Sequence, residues 1–110
     1  MAIHLLAILL PKPDRVSRVA ELAKDAAAYV QQNEPGTVKY QWFRSGTPEQ
    51  PKIVVWEVYA DAAAIQAHKT SPMMARFVQA EQQESNLTAP IEILPLEHFE
   101  GFASREGAKI

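Results

Sequence analysis

The run IHLLAILL at positions 3–10 is apolar except for His4 and closes on Pro-Lys-Pro, and it constrains the fold more than any other stretch. Pro11 ends it far short of the roughly 20 residues a helix needs to cross a bilayer. It shows neither a basic leader nor a small-residue cleavage site, so a signal peptide is not expected. A short, unbroken apolar run bounded by proline fits a central strand buried on both faces. The rest of the chain must then cover a sheet from two sides.

The following segments supply elements in a regular order. Asp14 is placed to cap a helix, and Val16, Val19, Ala23, Ala26 and Val30 recur at spacings of three and four. That spacing predicts one apolar helix face, ending near Asn33-Glu34-Pro35-Gly36. Residues 37–44, TVKYQWFR, read as a strand with Val38, Tyr40 and Trp42 on one face and Lys39, Gln41 and Phe43 on the other. After the loop SGTPEQP comes a third apolar segment, KIVVWEVY, and Asp61 is positioned to cap AAAIQAHK. Ser71-Pro72 offers a second cap and first-turn proline, so the helix is expected to kink or restart there. Met73, Met74, Phe77 and Val78 would form its apolar side. Residues 91–99, IEILPLEHF, give a last strand whose Pro95 suits an edge.

The order is strand, helix, strand, strand, helix, strand: an α+β, ferredoxin-like split βαβ arrangement. It predicts a four-stranded antiparallel sheet with two helices on one face, within a domain at 1–99 and a polar, mobile tail at 100–110. Strands one and three carry apolar side chains on both faces. The helix-free face therefore calls for a second cover, most simply the same sheet of another subunit in a two-fold homodimer.

Composition narrows the chemistry. With 110 residues the chain has room for one core, and a net charge of -2 gives no electrostatic case for nucleic acid or an anionic membrane. RNA-recognition modules share the element order, but strand three lacks their Gly-aromatic signature. The chain contains no cysteine, which excludes disulfides, thiolate nucleophiles and cysteine-held metals and is compatible with a cytoplasmic location. His4, His68 and His98 show no metal-ligand spacing, so no metal is expected. Ser71 has no glycine-flanked elbow, which removes a serine triad.

His68 stands out. It lies three residues after Ile65 and four after Ala64, on the core-facing side of its helix. It is either a core or dimer-contact histidine with satisfied nitrogens or a polar group in a small-molecule chamber. Alanines 26–28 and 62–64 would shorten the side chains reaching the sheet, with Tyr40, Trp42, Trp56 and Tyr59 opposite. The plain alternative is that this aromatic and methionine set is packed core.

Residues 53–77, a strand ending in WEVY, then Ala-Asp, a helix with Ala-His, a Ser-Pro turn and a Phe, resemble the antibiotic biosynthesis monooxygenase family of dimeric α+β barrels. The resemblance extends by element order over residues 3–99. It implies a homodimer with a chamber between each sheet and its helices. It also implies cofactor-independent oxygenation of a polyphenolic, often polyketide-derived, aromatic to a quinone, with no metal, flavin or haem. His68 carries over as base or hydrogen-bond partner of the phenol, and Glu57 and Tyr59 as groups that orient it or line the chamber. For Glu57 the alternative is a dimer-contact carboxylate paired with Arg44 or Lys52. Tyr40, Trp42, Trp56, Met73, Met74 and Phe77 would form the substrate-binding walls. Many relatives place a histidine just after the Ser-Pro turn. Met73 and Met74 stand there in this chain, so a two-imidazole mechanism does not carry over. Haem-degrading relatives would need an axial histidine near Phe77 or Val78 and a strand-one asparagine among Ala7, Ile8 and Leu9. A non-catalytic aromatic-binding or stress-related role is the reading from a different class, and isomerisation or decarboxylation is a further one.

Overall fold

A computed structural model describes residues 2–105. The chain forms β1 (Ile3–Leu9), a 3-10 turn (Pro13–Arg15), α1 (Val16–Asn33), β2 (Thr37–Gly46), β3 (Pro51–Tyr59), α2 (Ala62–Lys69), α3 (Pro72–Glu84) and β4 (Glu92–Leu96). The four strands make one antiparallel sheet in the order β2-β3-β1-β4. This is the ferredoxin-like α+β fold that the apolar patterning implies. Residues 100–105 carry no strand or helix, and the rest of the expected tail, 106–110, lies outside the described residues.

Pairing register decides what each side chain faces, because alternate residues of a strand point to opposite sides. Tyr40 pairs with Glu57 and Trp42 with Val55 across β2 and β3, while Leu5 pairs with Glu57 and Ala7 with Val55 across β1 and β3. These residues share the face covered by the helices. There Ala7, Leu9, Ile53 and Val55 meet Val19 of α1 and Leu87, with Tyr40, Trp42 and Phe77 packed around them. Burying each of these valine, leucine and isoleucine side chains contributes about 1.5–3 kcal/mol. The other face carries His4, Leu6 and Ile8 of β1, Val54 and Trp56 of β3, and Leu94 and Leu96 of β4. Leu94 is 37% exposed, Leu96 43% and Phe43 47%. Apolar residues thus lie on both faces, and in the single chain just one face is covered.

Local chemistry accounts for the helix boundaries. The Asp61 side chain accepts from Ala64 N at 2.9 Å and the Ser71 hydroxyl from Met74 N at 3.1 Å, so each starts its own helix. Pro72 at the first position of α3 makes the restart a full break, giving three helices rather than a kinked pair. Asp14 does not act as a cap. Pro13 nucleates the 3-10 turn ahead of it, and the residue preceding α1 is Arg15, with no side-chain capping bond.

Two further expectations are corrected. A bulge between Thr37 and Lys39 interrupts the alternation of β2, so Val38 is 66% exposed instead of joining Tyr40 and Trp42. Val78 is 47% exposed on α3, where Met73 and Ala80 are the buried positions. At the β2–β3 turn, Gly46 has φ +77°, and a Cβ there would run into the backbone of Gln50 and Lys52. β4 is an edge strand, as Pro95 requires, and ends at Leu96.

Candidate functional site

A chamber of about 260 Å³ lies between the sheet and helices α2 and α3. The sheet contributes Leu5, Ala7, Tyr40, Trp42, Val55, Glu57 and Tyr59, and the helices contribute Ile65, His68, Met73, Met74 and Phe77. Ile91 and Ile93 form a rim beside the edge strand, where they are 39% and 51% exposed. Polar groups gather at one end, where His68, Glu57, Tyr59 and Tyr40 meet. Apart from the exposed Lys69 the remainder is apolar, the usual division of a small-molecule site.

His68 is 5% exposed on the inner face of α2. Its Nδ1 lies 2.8 Å from Oε1 of Glu34, which is itself 6% exposed at the C-terminal end of α1. The imidazole stands between Tyr40 and Tyr59, at ring-centroid distances of 5.4 and 5.6 Å. Among the described residues Nε2 has no hydrogen-bond partner. The Thr37 hydroxyl donates to Glu34 Oε1 at 3.2 Å, while Glu34 Oε2 is buried without a partner.

Beside the imidazole the Tyr59 hydroxyl donates to the Glu57 carboxylate. Burial pushes Glu57 upward from the ordinary carboxylate range, against the pull of the Tyr59 hydrogen bond and the nearby His68. Burial likewise pushes both tyrosines upward, reinforced for Tyr59 by its bond to Glu57 and for Tyr40 by the charge on Glu57. Both phenols therefore keep their protons near neutrality, and Tyr59 gives its own to Glu57. Glu57 faces the helices, so its partner is Tyr59 rather than Arg44 or Lys52.

The structure brings His68, Glu57, Tyr59, Tyr40, Trp42, Met73, Met74 and Phe77 together around this one space. Trp56 is not among them. It neighbours Glu57 in an extended strand and so points to the helix-free face, where the Lys39 ammonium sits 3.8 Å from its ring centroid. Nor do the alanine clusters make the chamber. Ala26 and Ala64 are buried, but Ala28, Ala62 and Ala63 face solvent, and none of residues 26–28 or 62–64 lines the chamber. No cluster of three potential metal ligands occurs among the described residues.

Residues 2–80 match the family model described as antibiotic biosynthesis monooxygenase. The chain belongs to this family. Solved structures agree with it in fold. A Mycobacterium tuberculosis protein is 21% identical with a TM-score of 0.78, over 94% of this chain and 100% of its own. A provisionally named antibiotic biosynthesis monooxygenase of Caulobacter crescentus is 27% identical with a TM-score of 0.76, over 90% of this chain and 91% of its own. Another with that provisional name, from Nitrosomonas europaea, is 15% identical with a TM-score of 0.77, over 88% and 89% of the two chains. No curated protein matches this sequence.

In this antibiotic biosynthesis monooxygenase family member, Glu34 is the site residue that sequence reasoning missed. Its signal was electrostatic. A carboxylate at the C-terminal end of α1 faces the negative end of the helix dipole, an unfavourable place unless a donor meets it.

Proposed function

We propose that the chain is a cofactor-independent monooxygenase whose chamber takes a small phenolic aromatic. The observation that carries this reading is the buried His68–Glu34 pair, with Nδ1 engaged at 2.8 Å and the imidazole bordering an aromatic-walled apolar space. A neutral imidazole bonded through Nδ1–H presents its other nitrogen as a base. Removing the phenol proton gives an electron-rich phenolate able to reduce dioxygen directly. One oxygen atom enters the ring as a carbonyl, the other leaves as water, and the substrate supplies all four electrons, so no external reductant is needed. Trp42, Phe77, Met73 and Met74 would exclude water and hold the ring, while the Tyr40 hydroxyl donates to an oxygen atom on its polar edge and Tyr59, whose hydrogen is given to Glu57, lines the chamber.

The chamber lies just below the usual range of about 300–1,000 Å³ for drug-sized ligands. A substrate of one or two fused rings fits that size better than an extended polyketide. The same reading includes a homodimer closed over the helix-free face, which would cover Leu6, Ile8, Val54 and Trp56.

The test is incubation with naphthols, and with the larger three-ring anthrones for comparison, under ¹⁸O-labelled dioxygen and under nitrogen. Oxygen-dependent incorporation of one labelled atom is expected. Unlabelled products throughout would overturn the oxygenase reading. Quenching of Trp42 fluorescence in a Trp56→Phe background would then report binding alone.

A further inference from the structure

We infer that Glu34 is the positioning residue of His68, selecting the Nδ1–H tautomer so that Nε2 is the basic nitrogen at the chamber, and that Gly36 sets the distance between them. The inference rests on the proposed role of His68 for its functional consequence, but its geometry stands alone. Glu34 occupies a costly place for a carboxylate, at 6% exposure and against the end of the α1 dipole. Such a group persists when a donor meets it, and two do: His68 Nδ1 at 2.8 Å and the Thr37 hydroxyl at 3.2 Å, both on Oε1. A carboxylate oxygen facing Nδ1 can only accept, so Nδ1 carries a hydrogen whether or not the ring is charged. In the neutral ring the lone pair is then confined to Nε2, as when a carboxylate orients a catalytic or metal-binding histidine.

The backbone holds the pair in register. Glu34 N donates to Val30 O at 2.9 Å, Thr37 N to Glu34 O at 3.0 Å, and Ala60 N to Gly36 O at 2.8 Å. The turn after α1 is thereby tied to the segment that starts α2. Gly36 lies directly on that helix: a Cβ built on it would sit 2.7 Å from the Cβ of Ala64. Ala64 is one helical turn before His68 on the same buried face. The missing side chain at Gly36 therefore lets the α1 terminus approach close enough for Glu34 to reach the imidazole. Any residue with a Cβ there must move the turn or the helix.

The tautomer can be read without turnover, from two-bond nitrogen–proton couplings of His68 in histidine-labelled, ligand-free protein. The native protein is expected to show the Nδ1–H form. Glu34→Gln retains it through its amide oxygen, and Glu34→Ala loses the preference. Gly36→Ala shifts the spectrum toward that of Glu34→Ala, and Gly36→Ala with Ala64→Gly restores it by removing the clashing methyl. An Nε2–H form in the native protein, or a tautomer unchanged in a folded Glu34→Ala variant, overturns the inference. If Glu34→Ala does not fold, the native spectrum and the Gly36 and Ala64 pair decide it. With a turned-over naphthol, Glu34→Ala is expected to lower kcat by about 10²-fold or more with a smaller change in KM. If no phenol is turned over, the oxygenase reading fails while the tautomer result still stands.

Discussion

His68 and Glu57 are polar side chains buried at the chamber, and the role proposed for each can be tested separately. Loss of a base costs about 10²- to 10⁴-fold in rate, whereas loss of a structural imidazole acts through stability. His68→Gln and His68→Ala should therefore lose phenol turnover by that factor while still folding. Parent-like turnover with a melting temperature lowered by several degrees would make the histidine structural. Glu57 yields a pH prediction. Burial raises its pKa, so the folded state favours the protonated form. Its stabilising contribution is complete below the ordinary carboxylate range and is lost as pH rises through the raised folded value. Glu57→Gln, which mimics the protonated carboxyl and still accepts from Tyr59, should escape that loss. Melting temperatures of the two proteins should diverge as pH climbs from the carboxylate range, and parallel curves would contradict the buried assignment. Glu57 and Tyr59 are legible through the family resemblance of the strand end WEVY, not through the spacing of the residues. Trp56 was misplaced because adjacent strand residues cannot share a face.

At the scale of elements, caps and close approaches set where helices α2 and α3, which line the chamber, begin. Asp61 and Ser71 each hold a backbone donor of the helix they start. Asp61→Ala and Ser71→Ala are each expected to cost about 1 kcal/mol, a drop of a few degrees in melting temperature. Asp14→Ala should leave the melt unchanged, since no capping bond is lost. Equal losses from all three would show that the caps are not the cause. Helices α1 and α3 are joined by a two-bond contact from Arg18 to Glu84, at 2.7 and 2.9 Å. Arg18 holds the Glu84 carboxyl down at about 2. That contribution is present through neutral pH and is lost as pH falls through that value. Asp61, Ser71 and Pro72 were legible because capping is a local contact of three or four residues. The bulge at Val38 was not, because it is defined by the strand opposite.

For the whole molecule, the unresolved balance is the helix-free face of the sheet. Phe43, Leu94 and Leu96 remain substantially exposed beside Leu6, Ile8 and Trp56, an arrangement more typical of an interface than of a monomer surface. A second copy laid on this face should bury well over about 1,000 Å². Sedimentation at micromolar concentration is expected to give a dimer for the native chain, and a monomer for a Phe43→Glu, Leu94→Glu variant. A stable native monomer would refute the homodimer.

The patterning of this chain by itself determined the order and type of its elements. Apolar periodicity, turn residues and caps act over a few neighbouring positions, and each is written in adjacent letters. It also turned His68 inward, because helical spacing is local. The tertiary structure alone decided that Glu34, 34 positions before His68, is its partner. It alone decided that Gly36 must lack a side chain to let them meet, and that Trp56 looks away from the chamber. Those facts depend on strand register and on how closely two helices approach. Both are set by packing between segments remote in sequence.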